Sequence, residues 1–111
     1  MDLWTPSNIN PEPSSPVVLH SQEGVARIVA INLPARDEMQ EHQVHEHAWL
    51  HVHKGVIEVS ADGRTESVPE GSIVHWSPGE RHALRATEDA LLVLLLAPWP
   101  GAGHPNLRNA D

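Results

Sequence analysis

Short apolar stretches separated by turn-forming residues fill the chain between residues 17 and 97. These stretches are rich in β-branched residues, and we expect strands at Val17–Leu19, Val25–Leu33, Ala48–His53, Val56–Ser60, Thr65–Val68, Ser72–Trp76, His82–Ala86 and Ala90–Ala97. Asp62-Gly63, between two of them, is typical of a hairpin turn. No window of a dozen residues keeps a helical period without meeting Pro or Gly, and the polar stretch Arg36–Glu41 is expected to make at most one helical turn. The pattern predicts an all-β, small single-domain antiparallel β-barrel or sandwich.

The two ends of the chain differ from this middle part. Residues 1–16 contain four prolines with polar spacers and no periodicity, which predicts an extended N-terminal arm. We assign residues 17–97 to the barrel. Residues 98–111 are Pro/Gly-rich, and two interpretations stay open: a frayed tail, or a lid in which Trp99 and His104 fold back over one end of the barrel.

Composition and charge narrow the class of protein. A chain of 111 residues and 12.2 kDa, 40% hydrophobic and 20% charged, suits one globular domain. Its net charge of −8 disfavours nucleic acids and anionic membranes as partners. The absence of cysteine excludes disulfides and thiolate chemistry. With no signal-peptide pattern and no apolar run of membrane-spanning length, the predicted location is cytoplasmic.

Histidine is the unusual residue, because the chain has nine and five of them fall within residues 42–53. Those five are His42, His45, His47, His51 and His53. Histidine is the commonest metal ligand, and its charge changes near neutral pH. If all nine were protonated the net charge would rise from −8 to +1. We therefore expect solubility and association to depend on pH below about pH 6.5.

The spacing of the histidines allows two interpretations. Side chains two positions apart on a strand share a face and lie about 6–7 Å apart, so His45 and His47 can face one ion, and so can His51 and His53. In the first interpretation His42, His45 and His47 approach one mouth of the barrel, and a distant histidine completes an imidazole-rich metal site. In the second, His51 and His53 line an outward or dimer-facing sheet surface beside Trp49, while His45 and His47 are solvated loop residues.

The later stretch GSIVHWSPGERHAL, together with the histidine-rich strand that ends at a glycine, resembles the cupin superfamily. Cupins are small β-barrels with the motifs G(X)5HXH(X)3,4E(X)6G and G(X)5PXG(X)2H(X)3N, and the resemblance covers Arg36 to Leu96. In the second motif His82 follows Gly71 by eleven positions and Gly79 is in place. Pro78 stands one position late, and Ala86 replaces the usual asparagine.

The first cupin motif fits in two registers, and both stay open. Counted back from the glycine that closes the strand, the first register keeps His42 and puts Val44 and Ala48 where the second histidine and the glutamate stand. The second starts at the literal HXH of residues 45–47 and puts His51 at the glutamate position. The first register, with AWLHVHKG and RHALRATEDALLVLLLAPW, also resembles a sub-group of small single-domain cupins, many of which have no assigned activity.

The resemblance implies a barrel that binds a divalent transition metal and a small polar molecule. The implied ligands are His42, His45 or His47, together with His82, and the metal is Zn, Fe, Ni, Mn, Cu or Co. If the chain is an enzyme, an open coordination position suits an oxygenase or isomerase. The alternatives are a non-catalytic cupin that binds or senses a metabolite without a metal, and a metal-free barrel whose histidines control pH-dependent association.

The resemblance also implies a homodimer formed through an outer sheet. Trp49, His51 and His53 are the residues expected on that surface.

The glutamates beside the histidines also allow two interpretations. Glu38, Glu41 and Glu46 flank the histidines and are interpreted as a solvated face, with a carboxylate ligand or general base as the alternative.

His75 and Trp76 are neighbours on one short strand, and their side chains point in opposite directions. We expect Trp76 to face the core.

Overall fold

The computed structural model describes residues 1–9 and 11–105. Its strands, in chain order, are β1 (Val17–Gln22), β2 (Ala26–Leu33), β3 (Glu38–His42), β4 (His47–Lys54), β5 (Ile57–Ala61), β6 (Arg64–Val68), β7 (Ile73–Trp76), β8 (His82–Ala86) and β9 (Ala90–Ala97). They form a five-stranded sheet in the order β1-β2-β9-β4-β7 and a four-stranded sheet in the order β3-β8-β5-β6. Each of these neighbouring pairs is antiparallel. The all-β prediction is confirmed.

The hydrophobic core lies between the two sheets, and strand β4 shows how the sequence builds it. Its even positions, Ala48, Leu50 and Val52, are buried, whereas Trp49 at an odd position is exposed. This period of two is the geometry of a strand with one face covered. Removal of these side chains from water, together with that of Ile57 from the opposite sheet, is the main source of stability.

Strand β3 corrects one expectation from the sequence. Arg36–Glu41 was expected to form at most a helical turn, but residues 38–42 are a strand paired with β8. Met39 explains the difference, because its half-buried side chain packs against the core and pairs with Leu84. One apolar residue in a polar stretch is too weak a periodic signal to indicate a strand.

The turn between β5 and β6 has the conformation that its sequence predicts. Asp62 and Gly63 join β5 to β6 with φ angles of 51° and 73°, both left-handed. Two consecutive positive φ angles define the turn type that matches strand twist, and the predicted hairpin is confirmed.

The C-terminal segment packs back onto the sheets. Trp99 is buried, and the guanidinium carbon of Arg27 lies 3.9 Å from the centre of the Trp99 ring. The Trp99 carbonyl accepts a hydrogen bond of 2.6 Å from the Gly24 amide. The Gly101 amide donates to Glu46 Oε2 at 2.7 Å. The part of the predicted tail or lid beyond residue 105 lies outside the described residues.

The C-terminal end of the N-terminal arm is held by two hydrogen bonds from Ser14. The Ser14 amide donates to the Asn32 carbonyl at 2.8 Å, and the Ser14 hydroxyl donates to Asp37 Oδ2 at 2.7 Å.

In the described part of the chain, no helix has the length and hydrophobicity that a membrane span requires.

Candidate functional site

His42 and His82 form a pair at the end of the four-stranded sheet. They are register partners across strands β3 and β8, and their ring centroids are 4.4 Å apart with planes inclined by 61°. The chain bulges between Met39 and His42. A bulge adds a residue and re-aims the side chain that follows. This local irregularity places His42 beside His82.

The same hydrogen-bond pattern fixes both rings. Nδ1 of His42 lies 2.8 Å from the carbonyl oxygen of Gln40, and Nδ1 of His82 lies 3.0 Å from that of Glu80. A carbonyl oxygen can only accept, so each Nδ1 carries the hydrogen and donates. In the neutral ring Nε2 is then the nitrogen with a free lone pair. The pair therefore presents two Nε2 acceptors held in one tautomer.

His82 is kept neutral by its surroundings. Its side chain is 3% exposed and lies flat on the Trp76 indole, with centroids 3.9 Å apart and planes inclined by 7°. Burial lowers the pKa of His82, and the neighbouring His42 lowers it further, against the opposing effects of the Glu80 carbonyl and carboxylate. At neutral pH His82 is a neutral base.

The two histidines border a small cavity between the sheets. The volume of this cavity is about 20 Å³, counted as the space open to the centre of a water-sized sphere. In the described part of the chain its wall consists of Ile31, Met39, His42, Val44, Ala48, Leu50, Trp76, His82, Leu84 and Leu94. A space of this size admits one water molecule or one ion. Besides the two imidazoles, the side chains of the wall are aliphatic, the thioether of Met39 and the indole of Trp76. Because Nδ1 of each imidazole is engaged by a carbonyl, Nε2 is the nitrogen left for a ligand.

The other two predicted ligands lie elsewhere. His47 is at an odd position of β4, on the outward face, and its Nδ1 is 2.9 Å from Nε2 of His75. The ring of His45 lies 5.6 Å from that of His104. Residues 1–9 and 11–105 contain no group of three or more histidine, aspartate or glutamate side chains arranged to hold a metal ion. The structure thus brings His42 and His82 together and leaves His45 and His47 apart from them, and the four-histidine site stays a prediction.

His51 and His53 also face outward, with ring centroids 6.0 Å apart. They border a groove between the five-stranded sheet and the N-terminal arm, whose Trp4 and Ile9 form part of the opposite wall. This agrees with the interpretation that they line an outer sheet surface. Trp76 is buried and His75 exposed, as expected from their alternation.

Glu46 is the residue that the sequence did not identify. It was expected on a solvated face, but its side chain is 1% exposed and its Oε2 accepts from the Gly101 amide. Its even position, in phase with Ala48 and Leu50, was the available signal. Glu41, by contrast, makes an exposed ion pair with Arg81 at 3.2 Å, as a solvated face requires.

The His42–His82 pair fits a transition metal in its chemistry. Metal-bound histidines usually donate their second ring N–H to a carbonyl or carboxylate, and both rings already do so. Catalytic zinc sites commonly have three protein ligands, and the pair supplies two.

The antiparallel double-sheet architecture is that of a small jelly-roll protein, and it carries a histidine pair on two neighbouring strands of one sheet. The family model for the cupin domain matches residues 29–98, more than half of the chain. The chain therefore belongs to the cupin family, and the fold expected from the resemblance is confirmed. No curated protein sequence matches it.

Solved structures agree on the fold. A conserved protein of unknown function from Streptococcus pyogenes, SPY1581, has a TM-score of 0.72 and 22% identity, with 86% of this chain and 85% of that chain covered. KdgF from Halomonas sp. has a TM-score of 0.65 and 19% identity, covering 73% and 74%. Bacillus subtilis oxalate decarboxylase, which has Mn(II) centres, has a TM-score of 0.61 and 23% identity over 66% of this chain and 21% of its own. At these identities the similarity establishes the fold alone.

Proposed function

We propose that this cupin binds a divalent transition metal through Nε2 of His42 and Nε2 of His82, and that water and a small polar molecule complete the coordination. The observation that carries the proposal is the pair of hydrogen bonds from Nδ1 to the carbonyls of Gln40 and Glu80. They fix the tautomer in which the free lone pair of each ring belongs to Nε2.

The chain's own residues would then orient and shield the bound molecule. Stacking on Trp76 holds the plane of His82, and the burial of the residue keeps bulk water away from the ring. His42 is more exposed than His82. A bound metal would supply Lewis-acid polarisation of a coordinated oxygen. An oxygenase or isomerase reaction rests on family resemblance alone, because a fold does not determine a reaction.

The test is metal analysis of the untagged protein, as purified and after incubation with Mn, Fe, Co, Ni, Cu or Zn followed by desalting. We expect metal in the parent and about one equivalent less in a His42→Gln/His82→Gln variant, which lacks both ligands of this site. A matched control, His51→Gln/His53→Gln, removes two outward imidazoles and should keep the metal. Equal metal in the parent and in the His42→Gln/His82→Gln variant would refute the proposal.

A cupin that binds a small polar molecule without a metal is the second candidate. The observation that favours it is the ligand count, because two imidazoles are fewer than the three protein ligands of a usual catalytic site. In this case a parent free of metal after reconstitution would still be stabilised thermally by its ligand, and His82→Gln would abolish the stabilisation. The homodimer and the cytoplasmic location stay predictions.

A further inference from the structure

A second pair of imidazoles lies on the outward face of the five-stranded sheet. We call His47 and His75 the outer histidine pair. His47 is half-buried and His75 is exposed. Trp49 is the register partner of His75, and its ring centroid is 5.2 Å from that of His75 and 5.7 Å from that of His47. The pair therefore sits on regular strands with an aromatic side chain packed beside it.

The spacing within the outer histidine pair suits a metal ion. Nδ1 of His47 and Nε2 of His75 are 2.9 Å apart, and the rings are nearly parallel, with planes inclined by 18°. Two imidazole nitrogens bonded to one ion at 2.0–2.1 Å, with an angle between 90° and tetrahedral, are about 2.9–3.4 Å apart. The observed distance lies within that range, so metal binding requires the two rings to turn until both lone pairs point at the ion, without moving the two nitrogens apart.

We infer that His47 Nδ1 and His75 Nε2 form a surface binding site for a divalent transition metal, separate from the His42–His82 site. The two sites are separated by the five-stranded sheet, because the outer pair faces away from the core and the His42–His82 cavity lies between the sheets. The outer pair is reached directly from solvent, whereas His82 is 3% exposed.

Protons balance without a co-reactant. In the free protein one of the two facing nitrogens carries a hydrogen and donates it to the lone pair of the other. On metal binding that hydrogen moves, through solvent, to the second nitrogen of the same ring. Both facing nitrogens then donate lone pairs to the ion, both rings stay neutral, and no net proton is released from the neutral pair.

The ligand chemistry sets the expected order of metals. Imidazole suits Cu, Ni and Zn, whereas Mg and Ca prefer oxygen ligands. Among divalent first-row metals Cu²⁺ binds such sites most tightly. The net charge of −8 favours cation approach. We therefore expect Cu²⁺ to bind more tightly than Ni²⁺ or Zn²⁺, and Mg²⁺ not to bind.

The experiment is Cu²⁺ titration by calorimetry in the His42→Gln/His82→Gln background, which removes the site of the proposed function. We expect saturable binding, accompanied by partial quenching of the tryptophan fluorescence through Trp49, which packs beside the pair. A further His75→Gln substitution should weaken Cu²⁺ binding by at least about tenfold, since loss of a residue that only hydrogen-bonds to a metal ligand already has effects of that size. The matched control is His51→Gln/His53→Gln, which removes the neighbouring outward histidines and should leave the affinity unchanged.

Unchanged affinity after His75→Gln, or an equal loss in the His51→Gln/His53→Gln control, would overturn the inference. EPR of the Cu²⁺-loaded His42→Gln/His82→Gln protein provides a check that needs no change at the outer pair. Hyperfine coupling to two imidazole nitrogens is expected, and its absence would also overturn the inference. Because the His42–His82 site is removed throughout, failure of the proposed function leaves this result unaffected.

Discussion

The imidazole of His82 lies parallel to the indole of Trp76, with their ring centroids 3.9 Å apart. Both side chains are 3% exposed, so the contact is part of the core. It connects the five-stranded sheet, through β7, to the four-stranded sheet, through β8. Stability and site geometry therefore depend on the same contact.

Replacement of Trp76 by alanine should lower the free energy of unfolding by about 3–5 kcal/mol, the cost of truncating a buried aromatic side chain. Chemical denaturation followed by circular dichroism measures it. The control is Trp49→Ala on the outward face, where the side chain is 37% exposed and the loss should be smaller. Equal losses would contradict the assignment of Trp76 to the core.

His82 should make the stability of the apo protein depend on pH. Burial lowers the pKa of His82 in the folded protein below its ordinary value near 6.5, so between these values the unfolded chain binds more protons. The contribution is complete above about pH 6.5 and is lost as the pH falls through the folded pKa, with a slope of at most about 1.4 kcal/mol per pH unit.

Denaturation with EDTA present, between pH 8 and pH 5, measures this effect as the difference between parent and His82→Gln. The difference removes the contributions of the other histidines. If both proteins lose stability in parallel as the pH falls, His82 is not the titrating group.

Glu46 should anchor the C-terminal segment through its contact with the Gly101 amide. Glu46→Met fills a similar volume but leaves that amide without its acceptor, and should cost about 1–3 kcal/mol of unfolding free energy. Glu46→Gln keeps a carbonyl acceptor and should cost less. Hydrogen exchange of the Gly101 amide should accelerate in the methionine variant, and an unchanged rate would refute the anchoring role.

Gly55 should be irreplaceable for steric reasons. Its φ is +86°, and a Cβ atom there would overlap the carbonyl oxygen of Asp89. Gly63 has a similar φ of +73° but open space around it. Gly55→Ala should therefore cost about 1–3 kcal/mol more than Gly63→Ala, the usual penalty of overpacking. Thermal denaturation of the two variants gives the comparison, and similar losses would contradict the close approach.

The sequence predicted features that depend on local chemistry. The Asp62-Gly63 hairpin follows from residues that tolerate positive φ, and the core row of β4 follows from a period of two. The motif around His82, with Gly71 and Gly79 at cupin spacing, identified the family that the comparison with known proteins establishes.

The sequence left open what depends on pairing between distant strands. The choice of His42 as the neighbour of His82 follows from the register of β3 on β8 and from the bulge before it, and neither is encoded in the spacing of the histidines themselves. The burial of Glu46 depends on Gly101, which is distant in sequence and packs against it only in the fold. The partners of His42 and Glu46 are therefore determined by the assembled fold and not by the local sequence.

The alternation along β4 also protects the strand against misalignment. A slip of one residue would turn the imidazoles of His47 and His51 inward, where they would lack polar partners, and would expose Leu50 and Val52 to water. Both consequences are costly, so the histidine row and the apolar row select the same alignment. The histidines of β4 thus disfavour the wrong strand pairing, and this role does not depend on a ligand.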